Sequence, residues 1–181
     1  LYTFDAKPAG VVCKSVGSHR YKVTAKTEGG HSFNAFGNRN AISVLAEIIH
    51  EIYKIEVPKK GDSHTTYNVG IIEGGTSVNT IAQSASMLCE YRSDNLLCLA
   101  VMEKKFGEIF EKIKEICPEL EVELVGNRPC MSEKLDMEKL KTITDRAKAI
   151  QSKHFNVLVE EHSGSTDCNI PLSRGVVALC L

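Results

Sequence analysis

The chain has 181 residues, of which 43% are hydrophobic and 25% charged, and a formal net charge of −1. That balance is ordinary for a water-soluble globular chain and provides no clustered basic face for nucleic acid. No apolar run is long enough to cross a bilayer and no signal peptide opens the sequence, so neither a nucleic-acid nor a membrane partner is expected.

The first residues, Leu1 to Phe4, form a short apolar run closed by Asp5. A carboxylate at the C-terminal end of a strand is placed to bind a metal, whereas an aspartate before Lys7-Pro8 also suits a turn. From Arg20 to Lys26 the pattern alternates, with Tyr21, Val23 and Ala25 on one face, which predicts a half-buried strand. Glu28-Gly29-Gly30-His31-Ser32 follows, where two glycines allow a sharp turn and can point His31 outward. Ala41, Val44, Leu45, Ile48, Ile49 and Ile52 then mark one face of a helix starting at Asn40 and ending before Val57-Pro58. A second strand is predicted over His64 to Glu73, with Tyr67, Val69 and Ile71 on one face and Gly74-Gly75 as its stop. A third runs from about Gln83 to Arg92, burying Ala85, Met87, Cys89 and Tyr91.

Ser93-Asp94 can cap the next helix, whose stripe is Leu99, Met102, Phe106, Ile109, Phe110 and Ile113, ended by Cys117-Pro118. Leu120, Val122 and Leu124 alternate with glutamates in a fourth strand. The order β-α-β-β-α-β predicts an α+β, ferredoxin-like unit over residues 15–126: a four-stranded antiparallel sheet with both helices on one face. Beyond Gly126-Asn127-Arg128-Pro129, the pattern predicts a helix from about Asp136, a strand over Phe155 to Glu160, a loop at Ser163-Gly164-Ser165-Thr166-Asp167, and an apolar strand at the end. Residues 1–14 and 127–181 thus read as partial α/β segments, too small for a core of their own. A chain that opens without methionine and closes in an apolar strand reads as a piece of a longer protein.

Cys13, Cys89, Cys98, Cys117, Cys130, Cys168 and Cys180 are odd in number, irregularly spaced and free of any CxxC pair. They read as free thiols of a reducing compartment, which predicts a cytoplasmic protein.

Several local sites carry chemistry. His31 can donate to a developing oxyanion. Asn79, in Gly74-Gly75-Thr76-Ser77-Val78-Asn79, can donate to a carboxylate and accept from an amine. Arg92 either pairs with Glu90 or Asp94 or grips a substrate carboxylate in a bidentate fork. The amides of Gly164 and Ser165 can cradle a carboxylate.

Together these segments resemble the zinc-dependent exopeptidases that include aminoacylase, carnosinase, peptidase T, glutamate carboxypeptidase and the succinyl-diaminopimelate desuccinylases. Gly29-Gly30-His31-Ser32, Gly74-Gly75 with Asn79, Tyr91-Arg92-Ser93-Asp94 and Gly164-Ser165-Thr166-Asp167 with Asn169-Ile170-Pro171 occur in that family's order. The resemblance implies a dimerisation (lid) domain at 15–126, with the end of the N-terminal part of a catalytic domain at 1–14 and part of its C-terminal segment at 127–181. It implies a homodimeric parent hydrolase with two zinc ions, acting on a peptide or N-acyl amino acid. In it Asp5 is a metal ligand, His31 a catalytic group reaching the partner's site, Arg92 and Asn79 the pair that together hold the substrate's carboxylate, and Gly164 and Ser165 further substrate contacts. The family's remaining zinc ligands and its glutamate base have no counterpart here, so this piece is expected to bind no zinc tightly and to be inactive alone. The competing reading is a regulatory ferredoxin-like domain that binds a small molecule without catalysis.

Overall fold

The computed structural model describes residues 1–4 and 10–181. In chain order the elements are β1 (Tyr2–Thr3), β2 (Gly10–Ser15), β3 (Gly17–Lys26), β4 (Gly30–His31), α1 (Ala41–Ile52), β5 (Thr65–Gly74), β6 (Thr80–Ile81), β7 (Ser84–Ser93), α2 (Leu96–Lys114), β8 (Glu121–Arg128), α3 (Met137–Phe155), β9 (Glu160–Gly164), α4 (Asn169–Ser173) and β10 (Leu179–Cys180).

The main sheet has four strands in the order β5-β7-β3-β8, each pair antiparallel. With α1 and α2 both packed on one face, this is the ferredoxin-like arrangement expected from the element order. The alternation in β3 and β7 decides which face is covered: Val23, Ala25, Met87, Cys89 and Tyr91 are buried in one cluster with Leu45, Ile48, Met102, Phe106 and Ile113. The two helices begin on asparagine caps. Asn40 Oδ1 accepts from Ile42 N at 2.9 Å, and Asn95 Oδ1 accepts from Leu97 N at 3.0 Å and Cys98 N at 3.1 Å. The cap of α2 is therefore Asn95 rather than Ser93 or Asp94. Those two side chains bond elsewhere: Ser93 Oγ accepts from Asn95 N, and Asp94 Oδ1 accepts from His64 N.

One strand departs from simple alternation. Val69 pairs with Cys89 but Ile71 with Leu88, a register shift centred on Gly70. The extra residue turns Ile71 away from the face that Tyr67 and Val69 share, and Ile71 is half exposed.

The flanking segments form a second sheet, β1-β10-β2-β9, mixed in direction. Contrary to expectation they do have a small core, in which Val11, Leu140, Ala147, Val159, Leu172 and Leu179 cluster. The expected strand over 155–160 is also corrected. α3 continues to Phe155, and Asn156 ends it in the left-handed conformation at φ 54°. β9 starts only at Glu160 and runs into the loop expected at 163–167, and the short helix α4 follows.

Candidate functional site

The register of β3 against β7 defines two poles. Gly17 pairs with Ser93 and Ser18 with Arg92 at one end; Ala25 pairs with Ala85 and Lys26 with Ser84 at the other, with no shift between. The candidate residues divide between these poles.

At the far pole, β4 and β6 form a two-stranded ribbon in which His31 faces Thr80. Ser32 N donates to Asn79 O at 2.9 Å, so His31 in β4 and Asn79 in the turn just before β6 sit side by side at one tip. The glycines before His31 are required by the backbone. Gly29 and Gly30 have φ of 64° and 125°, and a Cβ on Gly30 would come within 2.7 Å of Ala35 Cβ. The imidazole is exposed, and its Nδ1 accepts from Phe33 N at 3.3 Å. That bond leaves the proton of the neutral ring on Nε2, making Nε2–H an outward donor. Asn79 Oδ1 accepts from Ser77 Oγ at 2.6 Å, which leaves the amide nitrogen as the group able to donate outward. A cleft of about 550 Å³ lies beside this tip, lined by Gly30, Gly75, Thr76, Thr80, Gln83 and Ser86 among others.

Two residues not singled out from sequence hold the tip in shape. Asn38 Nδ2 donates to Gly29 O at 2.7 Å. Arg39 Nε donates to both carboxylate oxygens of Glu28 at 3.0 and 3.2 Å, and its Nη1 reaches Ile116 O at 3.0 Å and Glu119 at 3.2 Å. The hydrogen bonds from Arg39 hold the Glu28 carboxyl below the usual carboxylate range. The usable signal was a Glu and an Arg flanking an otherwise uncharged loop.

At the near pole, Arg92 faces Ser18, and Arg128 faces Ser18 from the other side. The side edge of the Arg92 guanidinium is held by Glu90: Nε donates to Oε1 at 2.7 Å and Nη2 to Oε2 at 3.0 Å. Arg20 Nε donates to the same carboxylate at 3.0 Å. Burial pushes the Glu90 carboxyl up, but the hydrogen bonds from the two arginines outweigh it and hold the group below its ordinary value. The pairing of Arg92 with Glu90 is thus present. It fixes the fork and leaves Nη1 without a partner among the described residues, and an end-on carboxylate can use that edge.

The 163–167 loop reaches the same pole. Gly164 pairs with Ser15, and its carbonyl accepts from Val16 N at 2.8 Å. Ser165 is exposed, and Arg128 lies 3.8 Å from Asp167. Asn169, fully buried and read from sequence only as part of the motif, ties this loop down. Its Nδ2 donates to Val16 O and Pro129 O, both at 2.9 Å, and its Oδ1 accepts from Thr166 N at 2.9 Å. Lys14 and Asp94 add an ion pair of 2.7 Å between β2 and the end of β7.

Asp5 lies outside the described residues. Among the described residues no three His, Cys, Asp or Glu side chains converge as a metal site. The seven cysteines are free, and all but Cys13 are buried. Burial pushes the Cys89 thiol up to about 12, and burial and then Glu161 push Cys13 up to about 11. Neither is a nucleophile at neutral pH. No helix among the described residues is long and apolar enough to cross a membrane.

The four-stranded sheet, its two helices and the donor-bearing tip define a ferredoxin-like lid. Residues 14–123 match the family model described as the peptidase dimerisation domain, which is more than half of the chain, and the chain belongs to that family. Solved structures with the same fold include an aminopeptidase PepT from Bacillus cereus, with 19% identity and a TM-score of 0.71 over 99% of this chain and 48% of that one. An aminobenzoyl-glutamate utilization protein from Klebsiella pneumoniae has 17% identity and a TM-score of 0.73 over 98% of this chain and 47% of that one. A tripeptidase from Staphylococcus aureus has 16% identity and a TM-score of 0.71 over 99% and 47%. The chain spans about half the length of these structures. No curated protein matches the chain.

Proposed function

We propose that this chain is the lid, residues 15–126, with adjoining catalytic-domain segments at 1–14 and 127–181, of a cytoplasmic zinc-dependent exopeptidase or aminoacylase-type hydrolase. The parent acts as a homodimer on a peptide or N-acyl amino acid. The observation that carries this reading is the division of the site between two poles of one sheet in a member of a dimerisation family. Arg92 and the Gly164-Ser165 amides take the substrate carboxylate at the near pole. His31 Nε2–H, at the far pole, donates to the scissile carbonyl oxygen in the other subunit's site, where a preorganised donor stabilises a developing oxyanion. Asn79, expected to share the substrate carboxylate with Arg92, lies beside His31 at the far pole instead, so its Nδ2 is assigned to the same carbonyl oxygen.

The fold supplies the pairing edge. Among the described residues β5 hydrogen-bonds only to β7, so its other edge has no strand partner there, next to the Tyr53–Tyr67 pair whose ring centroids are 5.5 Å apart. β5 runs from Thr65, level with Ser93, to Gly74, level with Ala85. Antiparallel pairing of two β5 edges therefore sets the far pole of one subunit beside the near pole of the other, in a closed two-fold dimer.

The two zinc ions of the proposed parent would activate water for attack on the amide. The described residues do not form their site, so these residues position the substrate and stabilise charge.

The reading is tested in the enzyme that contains this chain. Hydrolysis of peptides and N-acyl amino acids should be lost with a chelator and restored by zinc. Substrates with a free carboxylate should outperform their carboxamides by roughly a hundredfold or more, the scale of a lost bidentate ionic contact. Equal rates on acids and amides would remove the carboxylate grip.

A further inference from the structure

The tip that carries His31 and Asn79 is unusual in charge. Residues 29–38 and 74–86 contain a single ionisable side chain, His31, in a chain that is 25% charged. The same tip exposes three apolar side chains: Phe33 is 86% exposed, Phe36 92% and Val78 fully. Phe33 lies two residues from His31, and its own N–H is bonded to the imidazole; Val78 directly precedes Asn79. These groups are not on a frayed loop. Ala35 N donates to His31 O at 2.8 Å and Asn38 N to Ala35 O at 3.1 Å, inside the closure made by Asn38 and the Arg39–Glu28 pair.

Holding two phenyl rings in water has no benefit for folding, because burial of such groups is what stabilises a chain. Apart from Glu73, which lines the neighbouring cleft, and the mutually paired Glu28 and Arg39, the rim around the two donors is uncharged, which matches an uncharged ligand group. We propose that Phe33, Phe36 and Val78 form an apolar clamp for the substrate group attached to the scissile carbonyl, so that the enzyme selects large apolar side chains or acyl groups at that position. The inference rests on the reading of His31 as the donor to that carbonyl. The carboxylate end of the substrate goes to Arg92 at the partner's near pole, leaving the acyl end to the tip.

The test compares substrates that share one carboxylate-bearing leaving residue and differ only next to the scissile carbonyl: phenylalanine or leucine against glycine, aspartate and lysine. The wild-type enzyme should favour the apolar pair by roughly ten- to a hundredfold in kcat/KM, the range a hydrophobic pocket delivers. Phe33→Ala and Phe36→Ala should each remove most of that preference, the loss in kcat/KM on the phenylalanine and leucine substrates exceeding that on the glycine substrate by roughly tenfold. Phe36→Leu should largely keep it. An equal loss on all substrates would place the rings against protein rather than substrate, and an unchanged preference would place them outside the site; either overturns the clamp. If the wild type hydrolyses none of the series, the underlying reading fails, an outcome distinct from hydrolysis without apolar preference.

Discussion

A mixed dimer tests the division of the site directly. β7 places Ser84 at one pole and Arg92 eight residues further on, which at the rise of an extended strand is a separation of about 27 Å. A dipeptide-sized substrate cannot bridge that distance within one chain. His31→Ala homodimers lack the far-pole donor in every site, and Arg92→Ala homodimers lack the near-pole fork in every site. In a mixed dimer, one site receives Arg92 from the first chain and His31 from the second and is intact, while the other site lacks both. Random exchange makes half of all dimers mixed with one working site each, so the mixture should recover about a quarter of the wild-type rate. The assay is hydrolysis of a peptide or N-acyl amino acid before and after co-refolding the two variants, with exchange verified by differently tagged subunits. Recovery to about a quarter would confirm sites completed in trans. No recovery after verified exchange would refute it, because it would mean that each residue acts within its own chain or neither touches substrate.

Two further outcomes follow from the core. Phe106 is fully buried between Tyr21 and Tyr91, with ring centroids at 6.4 and 4.8 Å, so Phe106→Ala should lower unfolding stability by about 3–5 kcal/mol in urea denaturation. The Cys89 thiol, pushed up to about 12 by burial, stays protonated in the fold, whereas the unfolded thiol ionises from its ordinary value of 9.0. Its contribution is therefore complete below about pH 9 and is lost as the pH rises toward the folded value; Cys89→Ala should flatten the fall of the urea midpoint between about pH 9 and 11.

The fold was largely legible because its signals are local. Alternation through Tyr21, Val23 and Ala25, and the stripes from Ala41 to Ile52 and from Leu99 to Ile113, each follow one period and bury one face. The departures arise where backbone, not side-chain pattern, decides. The shift at Gly70 leaves Val69 and Ile71 with the spacing of a plain strand, so only the glycine itself, a residue that often sits at a bulge, marks it. Phe155, Val157 and Leu158 read as a strand, yet Asn156 takes up φ 54° and ends a helix there. The motif residues were visible as residues, but the distance between His31 and Arg92 was not. Asn79 and Arg92 are 13 positions apart in the sequence, and the strand between them carries them to opposite poles.

That strand also fixes the separation on which the proposed two-site arrangement depends. Both outer pairings of the sheet contain irregularities, at Gly70 in β5 and after Arg20 opposite β8. The central pair does not: ten residues of β3 match ten of β7 without a slip. Under it lies a network in which the Tyr91 hydroxyl meets His19 Nδ1 at 2.5 Å and the Tyr21 hydroxyl at 3.1 Å, so the core locks the two strands by polar bonds as well as by packing. A one-residue slip between them would turn Met87, Cys89 and Tyr91 to the outer face, and so is opposed by the whole core. The spacing between Arg92 and the His31 tip is thereby set by the central pair, while both register shifts of this sheet lie in its outer pairings.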